Sequence, residues 1–363
     1  MKIENVKINC RFFKGDIPCK PHKKYNVKCI DDNGNECSYF DEIREKILII
    51  KLGATGDVIR TTPLLTKLKN EFPNAKIFWL THSPKIVPNL VDDILKFNES
   101  SISFLRSVKF DYLFNLDKDK QACALALEIK SKIKKGFILK EGLPSPADKD
   151  AESKFMTGLF DDINKANTKN YLEEIFEICG FKYSGEKYIL PEFTSDEKWN
   201  LDHSKKVIGL NTGCGGRWIS RLWPDEYWIN LAKQLVKNNY EVVFLGGEQE
   251  DEKNKHYSKS SGGKYLGHYD LATFVNLMDQ CNLIVTGVTM AMHITIGLNK
   301  KIVLFNNIFN SNEFELFGLG KILQPEKECK CFFSSTCTNE EYKCMEHLLP
   351  ETVYSTIEEL FSK

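Results

Sequence analysis

The sequence predicts an α/β protein with two doubly wound, Rossmann-like domains that face a common cleft. The chain has 363 residues, of which 42% are hydrophobic and 28% charged. At roughly 150 residues per domain, this length indicates two domains, and the composition is sufficient for two cores. In both halves strands alternate with helices, and glycine-bearing loops follow several of the strands. Alternation of this kind predicts βαβ units and a parallel sheet.

The first half opens with Ile47-Leu48-Ile49-Ile50, a run that is typical of a strand buried on both faces of a sheet. A glycine loop and a helix come next. The elements expected in this half are helices over Asp57–Phe72, 84–90 and 171–179, strands over 76–80 and 112–116, a helical stretch over 121–132, and a loop-rich stretch over 140–170.

The second half repeats the alternation, and its apolar residues at 271, 274, 275 and 278 have the spacing of an amphipathic helix. The elements expected there are strands over 207–211, 241–245, 283–286 and 302–305, and helices over 224–238, 290–298 and 351–361. The whole pattern divides the chain into a cysteine-bearing arm (1–45), an N-terminal domain (46–195), a C-terminal domain (196–325), and a cysteine finger with a terminal helix (326–363).

Charge and hydropathy exclude several classes of function. Lys+Arg and Asp+Glu balance at 50 each, so nothing indicates a general electrostatic grip on nucleic acid. A small basic patch could still hold an acidic acceptor. The sequence has no apolar run of about 18 residues and no signal-peptide core. We therefore expect a cytoplasmic protein without a transmembrane segment, and peripheral membrane contact stays open.

Ligands of doubly wound sheets bind beyond the carboxyl ends of the strands. Directly after the first strand, two glycines of the loop Lys51–Asp57 let the backbone approach a ligand. Asp57 then stands at a helix start. Two interpretations remain open: a carboxylate that caps the helix, or a general base that faces the cleft.

Three further loops follow strands. In Asn211–Gly216, backbone N–H groups of Thr212 and Gly213 are candidates to meet phosphate oxygens, with Arg217 and Arg221 as bidentate cations. An ordinary connection with solvated arginines is the alternative. Glu248 follows a Gly-Gly pair and could accept from a ribose, or be a solvated helix-start residue. Thr289, Met290 and His293 open a helix after a strand, and His293 could instead be a structural histidine.

Residues 47–65, which include Gly56-Asp57-Val58, resemble the opening of glycosyltransferase family 9, the ADP-heptose heptosyltransferase family. The resemblance continues through Arg221-Leu222-Trp223-Pro224, Gly246-Gly247-Glu248 and residues 289–293, in order, over nearly all of 46–310. It implies an inverting enzyme of GT-B fold, with an N-terminal acceptor domain and a C-terminal nucleotide-sugar domain.

The resemblance also assigns roles to single residues. Asp57 matches the catalytic base. On the donor side the family positions are matched by Thr212, Arg221, Glu248, Thr289 and His293, and the loop and charge patterns add Gly213, Arg217 and Met290. On the acceptor side Asp117 aligns with a family position, and Gly56 and Arg60 are expected there because they lie beside Asp57. One position departs from the family pattern: Val288 stands where an aspartate usually contacts the donor sugar, and valine cannot accept from sugar hydroxyls.

Clustered cysteines in a reducing compartment indicate metal sooner than disulfides. The chain has 12 cysteines, and two sets are clustered. The C-terminal set is Cys329, Cys331, Cys337 and Cys344, and the N-terminal set is Cys10, Cys19, Cys29 and Cys37. Four thiolates can surround one tetrahedral zinc or iron ion with a structural role. Free thiols are the alternative for both sets.

The function expected is transfer of a sugar, heptose from ADP-heptose, to a hydroxyl acceptor on a lipooligosaccharide core or a protein. No cofactor is needed for this catalysis. Two alternatives stand beside it. The first is a non-catalytic nucleotide-sugar-binding protein, which Val288 favours. The second is an epimerase or hydrolase of GT-B fold that acts on the nucleotide sugar itself.

Overall fold

The computed structural model describes residues 2–216 and 218–362. The N-terminal arm contains helix α1 (Lys20–Tyr25) and two isolated antiparallel bridges, one between Cys10 and Glu42. Arg11 joins the arm to the first sheet, because its guanidinium donates to Asp92 Oδ1 at 2.6 Å and to the carbonyl of Ala75 at 3.0 Å. The arm is therefore anchored on the N-terminal half.

The first half forms a six-stranded sheet in the order β3-β2-β1-β4-β5-β6, and among its neighbours only β5 and β6 are antiparallel. Its elements are β1 (Lys46–Ile50), α2 (Thr55–Ile59), α3 (Pro63–Glu71), β2 (Lys76–Thr81), β3 (Asp93–Lys96), α4 (Glu99–Ser107), β4 (Phe110–Asn115), α5 (Lys120–Glu128), β5 (Ser131–Lys140), β6 (Leu143–Pro146), α6 (Glu152–Thr157), α7 (Asp161–Ala166) and α8 (Tyr171–Ile178).

Strand β1 is buried on both faces, because Ile47 and Ile49 pack into one hydrophobic cluster, and Leu48 and Ile50 into another. Four expectations for this half were wrong in detail. The helix expected over 84–90 is only a short 3₁₀ turn, Pro84–Ile86. The helix expected over Asp57–Phe72 is two helices, because Pro63 has no N–H to continue the first one. The stretch 121–132 ends its helix at Glu128 and enters β5, and 140–170 contains a strand and two helices.

The second half forms another six-stranded sheet, all parallel, in the order β12-β11-β10-β7-β8-β9. Its elements are β7 (Val207–Asn211), α9 (Asp225–Lys237), β8 (Glu241–Leu245), α10 (Asp251–Ser261), β9 (Lys264–Tyr265), α11 (Leu271–Asp279), β10 (Leu283–Gly287), α12 (Met290–Gly297), β11 (Lys301–Phe305), β12 (Gly320–Leu323) and α13 (Pro350–Ser362). The terminal helix α13 packs against α9.

The two sheets share one winding pattern. In each, the first strand lies centrally, and the order in which strands are added across the sheet reverses between that strand and the fourth: between β1 and β4, and between β7 and β10. Crevices at such reversals are the ligand sites of doubly wound sheets. Helices α2 and α12, which follow β1 and β10, pack against each other across the two halves. Among the described residues, none of the helices is long and apolar enough to cross a membrane.

Candidate active site

The loops after β1, β7, β8 and β10 line one cleft of about 960 Å³ between the two halves. Most of the residues expected at the site face it. Those that line the cleft are Gly56, Asp57, Arg60, Gly213, Arg221, Thr289, Met290 and His293. Arg217 lies outside the described residues. The sheet-end geometry therefore brings together side chains that are more than 200 positions apart, such as Asp57 and Thr289.

Asp57 presents a charged carboxylate to the cleft. Its Oδ1 lies 2.8 Å from Arg60 Nη2, its Oδ2 accepts the backbone N–H of Ala54 at 3.1 Å, and about a third of the side chain (32%) is exposed. Burial raises the pKa of Asp57, but the charges of Arg60 and Lys51 outweigh it and lower the pKa to about 2. The carboxylate thus makes a local bond at the helix start and also remains ionised in the cleft.

Arg60 is fixed between this carboxylate and an aromatic ring. Its guanidinium carbon lies 3.4 Å from the centroid of the Tyr171 ring, a cation–π contact. Burial lowers the pKa of Arg60, but the charge of Asp57 opposes it, and the net shift is upward. The Nε of Arg60 is buried and has no hydrogen-bond partner among the described residues. One donor is therefore available to a ligand.

Arg221 joins the loops after β7 and β10. Its guanidinium donates to the carbonyl of Val288 and, at 3.0 Å, to the carbonyl of Cys214. Burial lowers the pKa of Arg221. In the part of the chain that the structure describes, Arg221 forms no ion pair, and its buried Nε has no partner. A buried cation without a counter-ion is costly, and an anionic ligand would offset that cost.

The start of α12 lines the cleft from the C-terminal half, next to α2. Thr289 caps the helix by accepting the N–H of Ala291 at 3.2 Å, and Met290 and Ala291 line the cleft. His293 is only 5% exposed, and burial, followed by the charge of Arg60, lowers its pKa to about 3. Its ring packs on Gly56, where an added Cβ would lie 2.6 Å from His293 Cδ2. Here His293 is a neutral packing residue at the domain contact.

Three expected residues lie elsewhere. Thr212 is buried and its hydroxyl donates to Asn254 Oδ1 at 2.6 Å, so it does not line the cleft. Glu248 is exposed outside the cleft lining, and Glu250 lines the cleft over Gly213 instead. Asp117 pairs with Lys51, accepts the N–H of Leu52, and lines a smaller neighbouring cavity.

Sequence reasoning missed an aromatic group that lines the cleft beside Arg221. Trp218, Phe309 and Phe333 form it, with ring centroids 5.4 to 5.7 Å apart. Phe333 belongs to the cysteine finger, where no strand-end or glycine pattern marks it. Only the fold shows that the finger reaches the cleft.

The thiols of the four C-terminal cysteines lie close enough to form hydrogen bonds in two pairs, Cys331 with Cys337 and Cys329 with Cys344. Cys331 Sγ is 3.6 Å from Cys337 Sγ. A hydrogen bond with Cys329 lowers the pKa of Cys344 to about 6. Sulfur atoms around a tetrahedral metal with bonds of about 2.3 Å stand about 3.8 Å apart, so this spacing and donor set fit a thiolate site. Even so, among residues 2–216 and 218–362, no group of three or more potential ligands is arranged as a formed metal site.

The N-terminal cysteines are not joined through their thiols in the same way. Cys37 donates its N–H to the carbonyl of Cys29 at 3.0 Å, and Cys19 Sγ accepts the N–H of His22 at 3.5 Å. Cys10 lies in the bridge to Glu42. Metal binding by this set stays a prediction.

Comparison with known proteins agrees with this geometry. Residues 101–308 match the sequence profile of glycosyltransferase family 9 (heptosyltransferase). Lipopolysaccharide heptosyltransferase 2 of Escherichia coli (strain K12) is 26% identical over 113 residues, which is 29% of this chain and 32% of that protein. The same-named protein of Salmonella typhimurium is 26% identical over 112 residues. The match thus spans about a third (32%) of the length of these curated relatives.

Solved structures show the same fold. The glycosyl transferase family 9 structure from Veillonella parvula has a TM-score of 0.66 at 19% identity, over 89% of this chain and 99% of that chain. The E. coli ADP-heptose lps heptosyltransferase II has a TM-score of 0.62 at 18% identity, over 87% and 98%. The iron-containing dodecameric glycosyltransferase TibC from E. coli H10407 has a TM-score of 0.58 at 10% identity, over 88% and 76%.

The expected GT-B architecture, two Rossmann-like domains with parallel sheets, is therefore confirmed. The family profile covers more than half of the chain and includes the segments that follow β7, β8 and β10. This chain belongs to glycosyltransferase family 9, the heptosyltransferases.

Proposed function

We propose that this protein is an inverting glycosyltransferase that moves a sugar from a nucleotide diphosphate donor to a hydroxyl acceptor. One observation carries the proposal: an ionised carboxylate, Asp57, and a partly buried cation, Arg221, which has no carboxylate partner among the described residues, line the same cleft from opposite domains. Sugar transfer with inversion requires a base for the acceptor hydroxyl and a site that binds the leaving diphosphate, and we assign Asp57 to the first and Arg221 to the second.

The donor diphosphate would lie between Arg221 and the start of α12. Arg221 already spans the loops after β7 and β10, so its free Nε is held in place for a phosphate oxygen. The N–H groups at the start of α12 add the positive end of a helix dipole. As the anomeric C–O bond breaks, the leaving diphosphate gains negative charge, and these fixed donors stabilise it.

Asp57 would accept the proton of the acceptor hydroxyl. The hydroxyl oxygen bonds to the anomeric carbon from the face opposite the diphosphate, which inverts that carbon. A carboxylate of low pKa is a weak base, yet the hydroxyl becomes acidic as its oxygen bonds to carbon, so late transfer to Asp57 is feasible. This chemistry uses the chain's own residues and needs no metal.

For the donor we propose ADP-heptose, and for the acceptor a hydroxyl of a lipooligosaccharide core sugar or of a protein. The support is family membership and the similarity to lipopolysaccharide heptosyltransferases. Glu250, which lines the cleft after β8, is placed where a nucleoside hydroxyl could donate to it.

The test is a calorimetric titration with ADP-heptose, GDP-sugars and UDP-sugars on the wild type and on Arg221→Ala. We expect selective binding of ADP-heptose that weakens at least about tenfold in the variant, since a charge-assisted contact is lost. The control is Arg106→Ala, whose guanidinium pairs with Glu128 on the surface. Binding of another sugar nucleotide would overturn the heptose donor, and binding of none would overturn the proposal.

The alternative function is binding of a nucleotide sugar without transfer. The observation that favours it is Val288, which lines the cleft with an apolar side chain and offers only its carbonyl, to Arg221. Mass spectrometry of donor with candidate acceptors separates the two functions. Tight donor binding without product for any hydroxyl acceptor would favour the binding protein, and donor breakdown without acceptor would favour a hydrolase.

We also propose that Cys329, Cys331, Cys337 and Cys344 hold one structural zinc or iron ion. Support comes from the 3.6 Å spacing of the Cys331 and Cys337 sulfurs and from the hydrogen bond between the thiols of Cys329 and Cys344, which brings the other two sulfurs together. The iron-containing TibC shares the fold. Metal content of the purified protein, compared with that of Cys344→Ser, tests the assignment.

A further inference from the structure

Phe333, near the tip of the cysteine finger, lies where the two cavities meet. The main cleft and the smaller cavity, of about 230 Å³, share three residues in their walls: Arg60, Glu313 and Phe333. Arg60 and Glu313 are charged, and Phe333 is the apolar member of the set. About half of the residue (51%) is exposed. A large aromatic ring that stays exposed inside a cleft is typical of a ligand-binding surface.

The backbone of Phe333 has a conformation that bulky residues rarely adopt. Its φ of +50° lies in the left-handed region, where a Cβ atom is sterically unfavourable. Phe317 has a similar φ of +53°, and its ring packs against Tyr188 with the centroids 5.7 Å apart. The half-exposed ring of Phe333 is not accounted for by packing in this way. Strained residues of this kind persist where the surrounding structure fixes them, and they cluster at ligand sites.

Hydrogen bonds on both sides fix this part of the finger. Phe333 donates its N–H to the carbonyl of Ile308 at 2.8 Å, in the loop after β11. The carbonyls of Ser334 and Ser335 accept from the hydroxyl and the N–H of Ser220, at 2.7 and 3.1 Å, in the loop after β7. Two strand-end loops therefore hold the strained residue and keep its ring at the cleft.

The ring lies between the proposed sites of the leaving group and the base. On one side, its centroid is 5.4 Å from that of Phe309, which lies 5.3 Å from the guanidinium carbon of Arg221. On the other side, Phe333 lines the smaller cavity together with Arg60, which pairs with Asp57 at 2.8 Å. The transferred sugar must reach from the diphosphate to the base, because its anomeric carbon changes partners between them. The sugar therefore passes the Phe333 ring.

The neighbouring wall of the cleft is apolar. It is formed by the side chains of Trp218, Val288, Phe309 and Phe314. Such a wall suits the C–H face of a sugar ring better than a row of hydroxyl groups. The face of an aromatic ring also carries partial negative charge, which attracts the slightly positive C–H groups of a sugar.

We propose that Phe333 is a specificity-determining residue, whose ring stacks on the C–H face of the sugar that the enzyme transfers. The cysteine finger is then part of the donor site and contacts the sugar directly. This inference rests on the proposed transferase function. It differs from that function in a measurable way, because the contact is with the sugar of the donor and leaves the nucleotide untouched.

The experiment compares sugar nucleotides with the same nucleotides that lack the sugar. Calorimetry measures binding of ADP-heptose, GDP-mannose and UDP-glucose, and of ADP, GDP and UDP. Phe333→Leu keeps an apolar side chain without an aromatic face, and Phe333→Asn removes the ring with a residue that tolerates the left-handed backbone. Phe333→Tyr keeps the ring. The control is Phe104→Leu, which replaces a 45% exposed phenylalanine on α4.

We expect Phe333→Leu and Phe333→Asn to bind the preferred sugar nucleotide about fivefold more weakly. Their affinity for the matching nucleoside diphosphate should stay within about twofold of the wild type. Phe333→Tyr should restore sugar-nucleotide binding, and Phe104→Leu should bind both ligands like the wild type.

Other results would overturn the inference. An equal loss for sugar nucleotide and nucleoside diphosphate would mean that the ring contacts the nucleotide or acts through the Ser220–Arg221 turn. Sugar-nucleotide binding that none of the Phe333 variants weakens would remove the stacking contact and leave the proposed function standing. A wild-type protein that binds none of the sugar nucleotides would remove the proposed function and this inference with it.

Discussion

Asp57 is the residue on which the proposed chemistry depends. If it accepts the acceptor proton, Asp57→Asn keeps the shape of the side chain and removes the base. We expect the rate of transfer to fall about 10²- to 10⁴-fold, with donor affinity unchanged, because the donor contacts lie on Arg221 and α12. Product formation by mass spectrometry and donor titration by calorimetry give the two numbers. A variant that transfers at the wild-type rate would remove Asp57 as the base.

The ion pair between Asp57 and Arg60 predicts the pH dependence. The pKa of Asp57 is lowered to about 2, so the carboxylate is already ionised well below neutral pH. Protonation of Asp57 therefore causes no fall in the wild-type transfer rate as the pH is lowered from about 7 to 5. Arg60→Gln removes the largest charge that lowers the pKa of Asp57, while the charge of Lys51 and the burial remain. The pKa should therefore rise, and the fall in rate on the acid side should move up toward this range.

The pH–rate profile of Arg60→Gln, beside that of the surface variant Arg106→Gln, checks this expectation. An acid limb that does not move would show that Arg60 does not control the base. An equal shift in Arg106→Gln would point to a general effect of net charge.

Single residues also show how far the sequence could predict the site. Asp57, Arg221 and Thr289 follow strands directly, so the rule that ligands bind at strand ends placed them at the cleft. Glu248 shares that pattern, but the short 3₁₀ turn Glu248–Glu250 leaves it exposed and directs Glu250 over Gly213. Lys118 also follows a strand, yet it contacts Gly158 and the carbonyl of Lys154 in α6, which lie far along the chain. Local patterns cannot contain such contacts.

At the scale of elements, the contact between α2 and α12 joins the two domains beside the base. Gly56 is required there, because His293 leaves no space for a side chain. Gly56→Ala should force the two helices apart, and overpacking of this kind costs about 1 to 3 kcal/mol. We expect a lower melting temperature and weaker donor binding, since Met290 and Ala291 on α12 line the donor side.

Differential scanning calorimetry and donor titration measure the two effects. Gly287→Ala is the matched control, because an added Cβ at Gly287 has nothing within 4 Å. A Gly56→Ala protein as stable as this control would mean that α2 and α12 adjust freely. The expected contact would then have no role in positioning the site.

The whole molecule brings the cysteine finger to the active site. The carbonyls of Ser334 and Ser335 accept from the hydroxyl and the N–H of Ser220, at 2.7 and 3.1 Å, and Ser220 precedes Arg221. Phe333 lines both cavities. On the N-terminal side, Lys165 Nζ lies 4.8 Å from the centroid of the Phe332 ring. The finger therefore contacts both domains and the turn that carries Arg221, the proposed donor-binding arginine.

This arrangement predicts that thiol chemistry in the finger affects donor binding at a distance. Cys344→Ser removes a thiol that interacts with Cys329 and accepts from Asn307 Nδ2 at 3.4 Å, and the same amide donates to the carbonyl of Ser220 at 2.9 Å. The hydroxyl of the variant is smaller than the thiol and lies on a shorter bond, so the contact with Asn307 weakens and any bound metal is lost. A change of up to about 1 kcal/mol passed on to the Ser220–Arg221 turn corresponds to a loss of donor affinity of up to about fivefold. Cys29→Ser in the arm is the control, and calorimetry with metal analysis is the measurement. Equal donor affinity in Cys344→Ser and Cys29→Ser would mean that the finger stabilises the fold without changing donor affinity. A loss of donor affinity confined to Cys344→Ser would indicate that the finger affects donor binding through the Ser220–Arg221 turn.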